Sequence, residues 1–336
     1  MIKELAHLSS AKNHTVKGSY FFAAIILSLI LYFILFGYCL HKPQTIGRHR
    51  QLFNAKDAAL AAHADQRKII ILAGSNGRTS HSARVIEEVA GLPAVNMSVT
   101  ASLSIDFQLA RLKPFLNEGD IIYMPLEYGQ LARAAKTVYS GIEAPYSIAY
   151  EKASLNEFGL MRKIHAYFYF DLKFFFSSVT EMTLSAIGFE RRITADDFNE
   201  WGDQTGHTIE KGIPYRDYIE KSIPTPATTV DVDSMSARAV ADFLSWAKER
   251  GVVVVGGYPT YAEGENLTPD SDNDLVSFYV SNGHYFMGLE NKGRYPKSYY
   301  FDTIYHLSEP YQIAHSEIVG KKLKALIVEH DEREYE

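Results

Sequence analysis

One uncharged run dominates the amino-terminal part of the chain. Residues 20–40 read YFFAAIILSLILYFILFGYCL, 21 positions without a charged side chain. At ~1.5 Å per residue in a helix, this run covers roughly 30 Å, the thickness of a bilayer's hydrocarbon core. It predicts a transmembrane helix. The competing reading is a buried helix of a globular domain, which seldom needs so long an uncharged stretch. A cleaved signal peptide has a shorter apolar region followed by a small-residue cleavage site, whereas His41, Lys42 and Pro43 come next here. Phe36, Gly37 and Tyr38 ahead of Cys39 are likewise unlike a lipoprotein signal. The pattern is that of an uncleaved signal anchor. Lys3, Lys12 and Lys17 before the run nearly balance Lys42, Arg48, Arg50 and Lys56 after it, so charge leaves the orientation open. A short tail (1–19) inside and a large carboxyl-terminal domain outside is the commoner arrangement, and it is the one expected.

Beyond the run the pattern becomes mixed. Residues 41–67 are polar and then alanine-rich, as in a stalk leading into a first helix. From Lys68 onward, apolar runs alternate with amphipathic ones. Residues 68–74 (KIIILAG) form the continuous apolar segment expected of a parallel strand buried on both faces. A helix is predicted at 82–90, stopped by Gly91-Leu92-Pro93. A second strand is predicted at 94–99, a second helix at 104–115 and a third strand at 120–126 (DIIYMPL). The rhythm returns with a strong helix at 234–250, whose Ala237, Val240, Phe243, Leu244 and Ala247 share one face. Gly251 stops it, and a fourth strand follows at 252–255. Residues 284–288 read as a fifth strand and 319–328 as the closing helix.

This order predicts an α/β domain over 68–330, with a doubly wound, flavodoxin-like, mainly parallel sheet in three α/β/α layers. Ligands of such folds bind beyond the carboxyl ends of the strands. Between the third and fourth strands the rhythm breaks, at about 145–232, which reads as an insertion capping or flanking the cleft. Its residues 166–176 (AYFYFDLKFFF) are densely aromatic, and 199–229 are polar and turn-rich. The aromatic run fits an ordinary core helix, a membrane-facing surface or a sugar-stacking surface.

Composition narrows the function. The chain of 336 residues is 46% hydrophobic and 22% charged, as globular proteins are. Its net charge of −6, from 34 Lys+Arg against 40 Asp+Glu, argues against general nucleic-acid binding. The single cysteine, Cys39, excludes an internal disulfide and every multi-cysteine metal cluster. A mean hydropathy of −0.14 excludes a polytopic membrane protein but not a single span.

The candidate chemistry begins where the first strand ends, at Gly74-Ser75-Asn76-Gly77. A serine between a strand and a helix sits where an α/β fold exposes a nucleophile, with backbone N–H groups of the following turn available to an oxyanion. A plain glycine turn that caps the next helix is the alternative. A phosphate loop is set aside, because Leu72 stands where the first glycine is needed and Arg78 replaces the lysine. Among twelve histidines, His306 stands out in Phe301-Asp302-Thr303-Ile304-Tyr305-His306-Leu307, just ahead of the closing helix. A loop there lies over the carboxyl edge of the sheet, where Asp302 can orient the imidazole.

These blocks resemble the SGNH (GDSL-like) hydrolase superfamily. Gly74-Ser75-Asn76 resembles its nucleophile block in the form seen in some membrane-anchored members. Residues 91–99 (GLPAVNMSV) resemble the second block, and Tyr305-His306-Leu307 the last. The likeness covers about 68–128 and 235–328. It implies Ser75 as nucleophile, His306 as base and Asp302 as the residue that orients it. Asn76, Asn96, Ser98 and Glu127 then fall in the oxyanion or substrate-binding positions. Membrane-anchored bacterial members often add or remove O-acetyl groups on surface polysaccharides. The resemblance therefore implies a serine esterase or O-acyltransferase at the bacterial inner membrane, with a periplasmic domain acting on an exopolysaccharide. Membrane polysaccharide-synthesis proteins become expected partners, and the chemistry requires no cofactor and no metal.

Departures from the family pattern keep a non-catalytic binding role open. Ser98 stands where the second block supplies a glycine N–H, and Glu127 where the third supplies an asparagine. Three residues rather than two separate Asp302 from His306. An ionised Glu127 would repel an oxyanion. The alternating carboxylates of 270–274 lack a calcium loop's glycine and terminal glutamate, so a solvated acidic loop is expected. His81 is expected to face solvent on the first helical turn. His165 and His207 have no partner at metal-ligand spacing.

Overall fold

A computed structural model of the chain describes residues 2–189, 197–224, 229–264 and 268–334. Part of the polar stretch expected at 199–229, residues 225–228, lies outside the described residues. The fold is α/β, as expected, around five parallel strands: β1 (Ile69–Ile71), β2 (Ala94–Asn96), β3 (Ile121–Met124), β4 (Val253–Gly257) and β5 (Tyr285–Met287). They pair in the order β2-β1-β3-β4-β5. In register, Ile70 lies between Val95 and Ile122, Val254 pairs with Ile122, and Phe286 pairs with Gly256. Triple isoleucine at β1 and triple valine in β4 suit strands buried on both faces, because β-branched side chains fill a pleated surface.

The helices follow the sequence pattern closely where their caps are local. Ser82 caps Ala83–Ala90 by accepting from the Val85 N–H, and Gly91 ends it at φ 81°. Ser234 caps Met235–Glu249 in the same way, and the predicted face of Ala237, Val240, Phe243, Leu244 and Ala247 is buried. That helix packs on Ile105–Leu112, while the closing helix Glu309–Glu334 packs on Ala83–Ala90. A Cβ on Gly320 would lie 2.9 Å from the Val89 Cβ, so the closing pair needs a glycine to approach this closely.

Several segments differ from expectation. The 41–67 segment is a helix over Gln44–Ala61, with Leu52, Phe53, Ala59 and Leu60 buried against the domain. Within it Lys56 is fully buried, its Nζ donating to the Gly202 carbonyl at 2.5 Å. The carboxylates of 270–274 are not a loop. They occupy the first turns of the helix Pro269–Ser281, where Thr268 caps the end and acidic groups face the positive end of the helix dipole. The closing helix begins ten residues earlier than its apolar core suggests, at Glu309.

The aromatic run forms the end of one helix, Leu160–Tyr167, and the start of another, Leu172–Ala186. These pack with Phe36, Leu40, Ile46, Phe53, Phe107 and Tyr146 in a second core, separate from that of the sheet. The amino-terminal helix runs over Ile2–Leu40, and its Gly18–Leu40 part is long and apolar enough to cross a membrane.

Candidate active site

Ser75 is the first residue of a short helix, Ser75–Ser80, that begins four residues after the end of β1. The chain must turn sharply there, and Gly74 permits it. A Cβ at that position would sit 2.5 Å from Glu127 Oε1 and 2.7 Å from the Ala101 Cβ. Buried polar side chains hold the turn from beneath. Ser98 Oγ accepts from the Ala73 N–H at 3.0 Å and donates to the Ile71 carbonyl at 3.2 Å. Asn96 Nδ2 donates to the carbonyls of Gly77 (3.1 Å) and His81 (3.0 Å), and its Oδ1 accepts the Ser98 N–H at 3.1 Å. Asn76 Nδ2 donates to the Pro125 carbonyl at 3.1 Å. All three side chains are fully buried, so they shape the serine turn and do not face a substrate. The Ser98 N–H, already bonded, is not a free oxyanion donor. Ser75 itself is half-buried.

Pairing of β3 with β1 brings residues 125–127 alongside this turn. Glu127 Oε1 accepts from the Asn76 backbone N–H at 3.2 Å and, more distantly, from Ser75 Oγ at 3.4 Å. The carboxylate therefore occupies the N–H that an oxyanion would use.

The predicted histidine block reaches the same helix from its other end. Ser80 Oγ donates to the Tyr305 carbonyl at 3.1 Å and accepts the Leu307 N–H at 3.0 Å, and Thr260 Oγ1 also donates to Tyr305 at 2.9 Å. Both neighbours of His306 are thereby fastened to the Ser75 helix. His306 Nδ1 lies 2.7 Å from Asp302 Oδ1, so the extra residue between them does not prevent the pair. Burial pushes the Asp302 carboxyl up. The hydrogen bond and charge of His306, with the Arg78 guanidinium nearby, outweigh this and hold it below the usual carboxylate range. Ser75 Oγ and His306 Nε2 are not hydrogen-bonded to each other among the described residues; the serine hydroxyl turns to Glu127.

Arg78 is the member of this site that the sequence reading passed over, except to reject a phosphate loop. One turn along the helix from Ser75, it lies in the field of both Asp302 and Glu127, whose charges counter the downward pull of burial on its guanidinium. The i, i+3 spacing from Ser75 was the available signal.

His81 does not face solvent. It is fully buried, with Nε2 3.1 Å from Nε2 of His315, whose Nδ1 lies 2.7 Å from the Tyr295 hydroxyl. Burial pushes His81 down to about 4 and His315 well below its ordinary value. Unfolding releases both to about 6.5. Between pH 6.5 and 4 the unfolded chain then binds more protons, so stability present above pH 6.5 is lost on acidification. For His81 the loss is on the order of 3 kcal/mol. The urea midpoint should fall from pH 7 to pH 5, and His81→Gln should flatten that fall; an unchanged slope would remove His81 as its source. His207 Nε2 lies 3.0 Å from the Thr79 carbonyl, buried beside Phe301. His165 lies in the insertion, its ring 5.3 Å from that of Tyr139. No group of three metal-ligating side chains occurs among the described residues.

Comparison with family models, curated proteins and solved structures finds no match to this chain.

Proposed function

We propose that the protein is a membrane-anchored, SGNH-like serine esterase or O-acyltransferase that adds or removes O-acetyl groups on an extracellular polysaccharide. In this reading the strand order β2-β1-β3-β4-β5 is that of a doubly wound, flavodoxin-like sheet in three layers. Gly18–Leu40 anchors the domain in a bacterial inner membrane, with the domain on the periplasmic side beside polysaccharide-synthesis proteins. The observation that carries the reading is the Asp302–His306 pair, fastened through Ser80 to the helix that begins with Ser75. With Nδ1 held by Asp302, Nε2 is the nitrogen left to take the Ser75 proton. Ser75 Oγ attacks the acyl carbonyl, and His306 returns the proton to the departing alcohol. A sugar hydroxyl or water then releases the acyl group from Ser75 by the reverse sequence. The Asn76 N–H supports the oxyanion once Glu127 has been displaced. The test is labelling of the full chain in detergent with a fluorophosphonate probe. Wild type should label and His306→Ala should not; folded wild type that fails to label overturns the reading.

The position of Glu127 favours a second reading, a non-catalytic tethered component of a polysaccharide assembly complex that binds through the old cleft. A carboxylate facing both the nucleophile and its oxyanion donor is unsuited to acyl transfer. Glu127→Gln separates the two. Its side-chain carbonyl can still accept from Asn76 while the opposing charge is gone, so an enzyme should keep or raise its turnover of a small aryl acetate. A collapse to the level of Ser75→Ala would instead assign Glu127 as the base. Turnover in neither wild type nor Glu127→Gln supports the binding role.

A further inference from the structure

The two aromatic helices of the insertion leave large apolar side chains uncovered. In Leu160–Tyr167 Arg162 points inward: it is buried, pairing with Asp106 and with Glu143 at 3.2 Å and donating to Ser104 Oγ at 2.8 Å. The outer face carries Leu160 (74% exposed), Met161 and Ile164, continued by Phe168 just beyond the helix. In Leu172–Ala186 the exposed residues Leu172 (75%), Phe176 and Val179 follow i, i+4, i+7 spacing and so share one face. Polar side chains of the same region, His165, Asp171, Lys173 and Glu181, line an open cavity of about 540 Å³ beside Thr45. So many uncovered large apolar side chains on neighbouring turns are not what water selects.

The junction of these helices is seated on the apolar amino-terminal helix. Phe168 stacks on Tyr32 with ring centroids 5.5 Å apart, and Phe170 and Phe174 lie 5.8 and 6.4 Å from Phe36. The Tyr32 hydroxyl donates to the Tyr167 carbonyl and accepts the Phe170 N–H, each at 3.1 Å. Two backbone groups at the junction, one at the helix end and one in the non-helical link, are thus satisfied without water, as hydrocarbon surroundings demand. Tyr32 stands eight residues before the end of the Gly18–Leu40 segment, about 12 Å in from that end at ~1.5 Å per residue. Phe36, about 6 Å in, lies within the roughly 5–10 Å to which interfacial helices bury their apolar faces, and Tyr32 lies just below it.

We propose that Leu160–Tyr167 and Leu172–Ala186 form a second membrane-contacting element. They lie in the interfacial zone of the bilayer beside the span and fix the depth and tilt of the α/β domain. The occupant of their outer face is lipid, because the exposed Phe168 at their junction lies 5.8 Å from the exposed Phe33 of the apolar segment and so continues its uncovered surface. The inference rests on the anchoring part of the proposed function and not on the chemistry of Ser75.

The test uses the full chain with Cys39→Ser, reconstituted in phosphatidylcholine/phosphatidylglycerol vesicles that carry brominated phosphatidylcholine as quencher. Single cysteines replace Leu172, Phe176, Phe22 in the span or the exposed Glu249, each bearing an environment-sensitive fluorophore. Labels at 172 and 176 should be blue-shifted and quenched at least about half as strongly as the label at 22, with little quenching at 249. Quenching at 22 but not at 172 and 176 overturns the inference and leaves the span standing. Labels at 172 and 176 that are shielded from water yet unquenched assign the face to protein, and overturn it too. An unquenched label at 22 removes the span and the inference together.

Discussion

Ser75→Ala is expected to reduce turnover of a small aryl acetate by roughly three orders of magnitude or more, the loss typical when a serine nucleophile is removed. Fluorophosphonate labelling should vanish with it. The fold should survive, because the hydroxyl has one long hydrogen bond, 3.4 Å to Glu127, and the turn is held by other groups. Those groups, Asn76, Asn96 and Ser98, keep every contact they have in the wild type. Denaturation midpoints should therefore agree between the two proteins. Equal turnover in the variant would show that the acyl chemistry, if present, lies elsewhere. A variant that melts early would show that Ser75 belongs to the packing of the turn.

The largest effect on stability should come from the opposite, amino-terminal ends of the strands. Lys68 and Asp120 precede the neighbouring strands β1 and β3, and neither side chain has measurable exposure. Asp120 Oδ2 accepts from Lys68 Nζ at 2.8 Å and from the Asn117 N–H at 2.9 Å, and Oδ1 accepts the Lys68 N–H at 3.0 Å. Asp120→Ala leaves an ammonium buried without its counter-charge and two backbone donors unmatched. A cost of about 3–5 kcal/mol follows, read as a lower urea midpoint. The double variant Lys68→Met, Asp120→Leu should recover much of that loss, because the buried charge goes with its partner. Neither variant touches the serine turn, so labelling of whatever remains folded should persist. A wild-type midpoint for Asp120→Ala would mean that water reaches Lys68.

Much of the fold was legible because its signals are local. Apolar runs at 68–74 and 252–255 and the Ser82 and Ser234 caps act within a few residues of where they are read. So do the stops at Gly91 and Gly251, which adopt φ of 81° and 65°. Boundaries were less legible. The first four residues of the closing helix, Glu309–Gln312, carry no strong apolar stripe; Gln312 buries there against the carbonyls of His81 and Gln204, far along the chain. The insertion was the least legible part. Its helices rest on Tyr32 and Phe36, more than a hundred residues earlier, and no periodicity within 145–232 records that contact.

The serine site divides in the same manner. The sequence by itself placed Ser75 in the turn between β1 and the following helix, and Asp302 and His306 in one loop before the last helix. Composition and short-range spacing carry that information. That Ser75 itself opens a short helix came from the structure. Only the tertiary structure decided which neighbours those groups have. Strand pairing placed Glu127 on the Asn76 N–H, parallel order buried Asn96 and Ser98 beneath the turn, and helix packing turned His81 inward onto His315. Each of these depends on contacts between segments far apart in the chain. Such contacts arise from burying apolar surface across the whole domain, and no local pattern of residues specifies them.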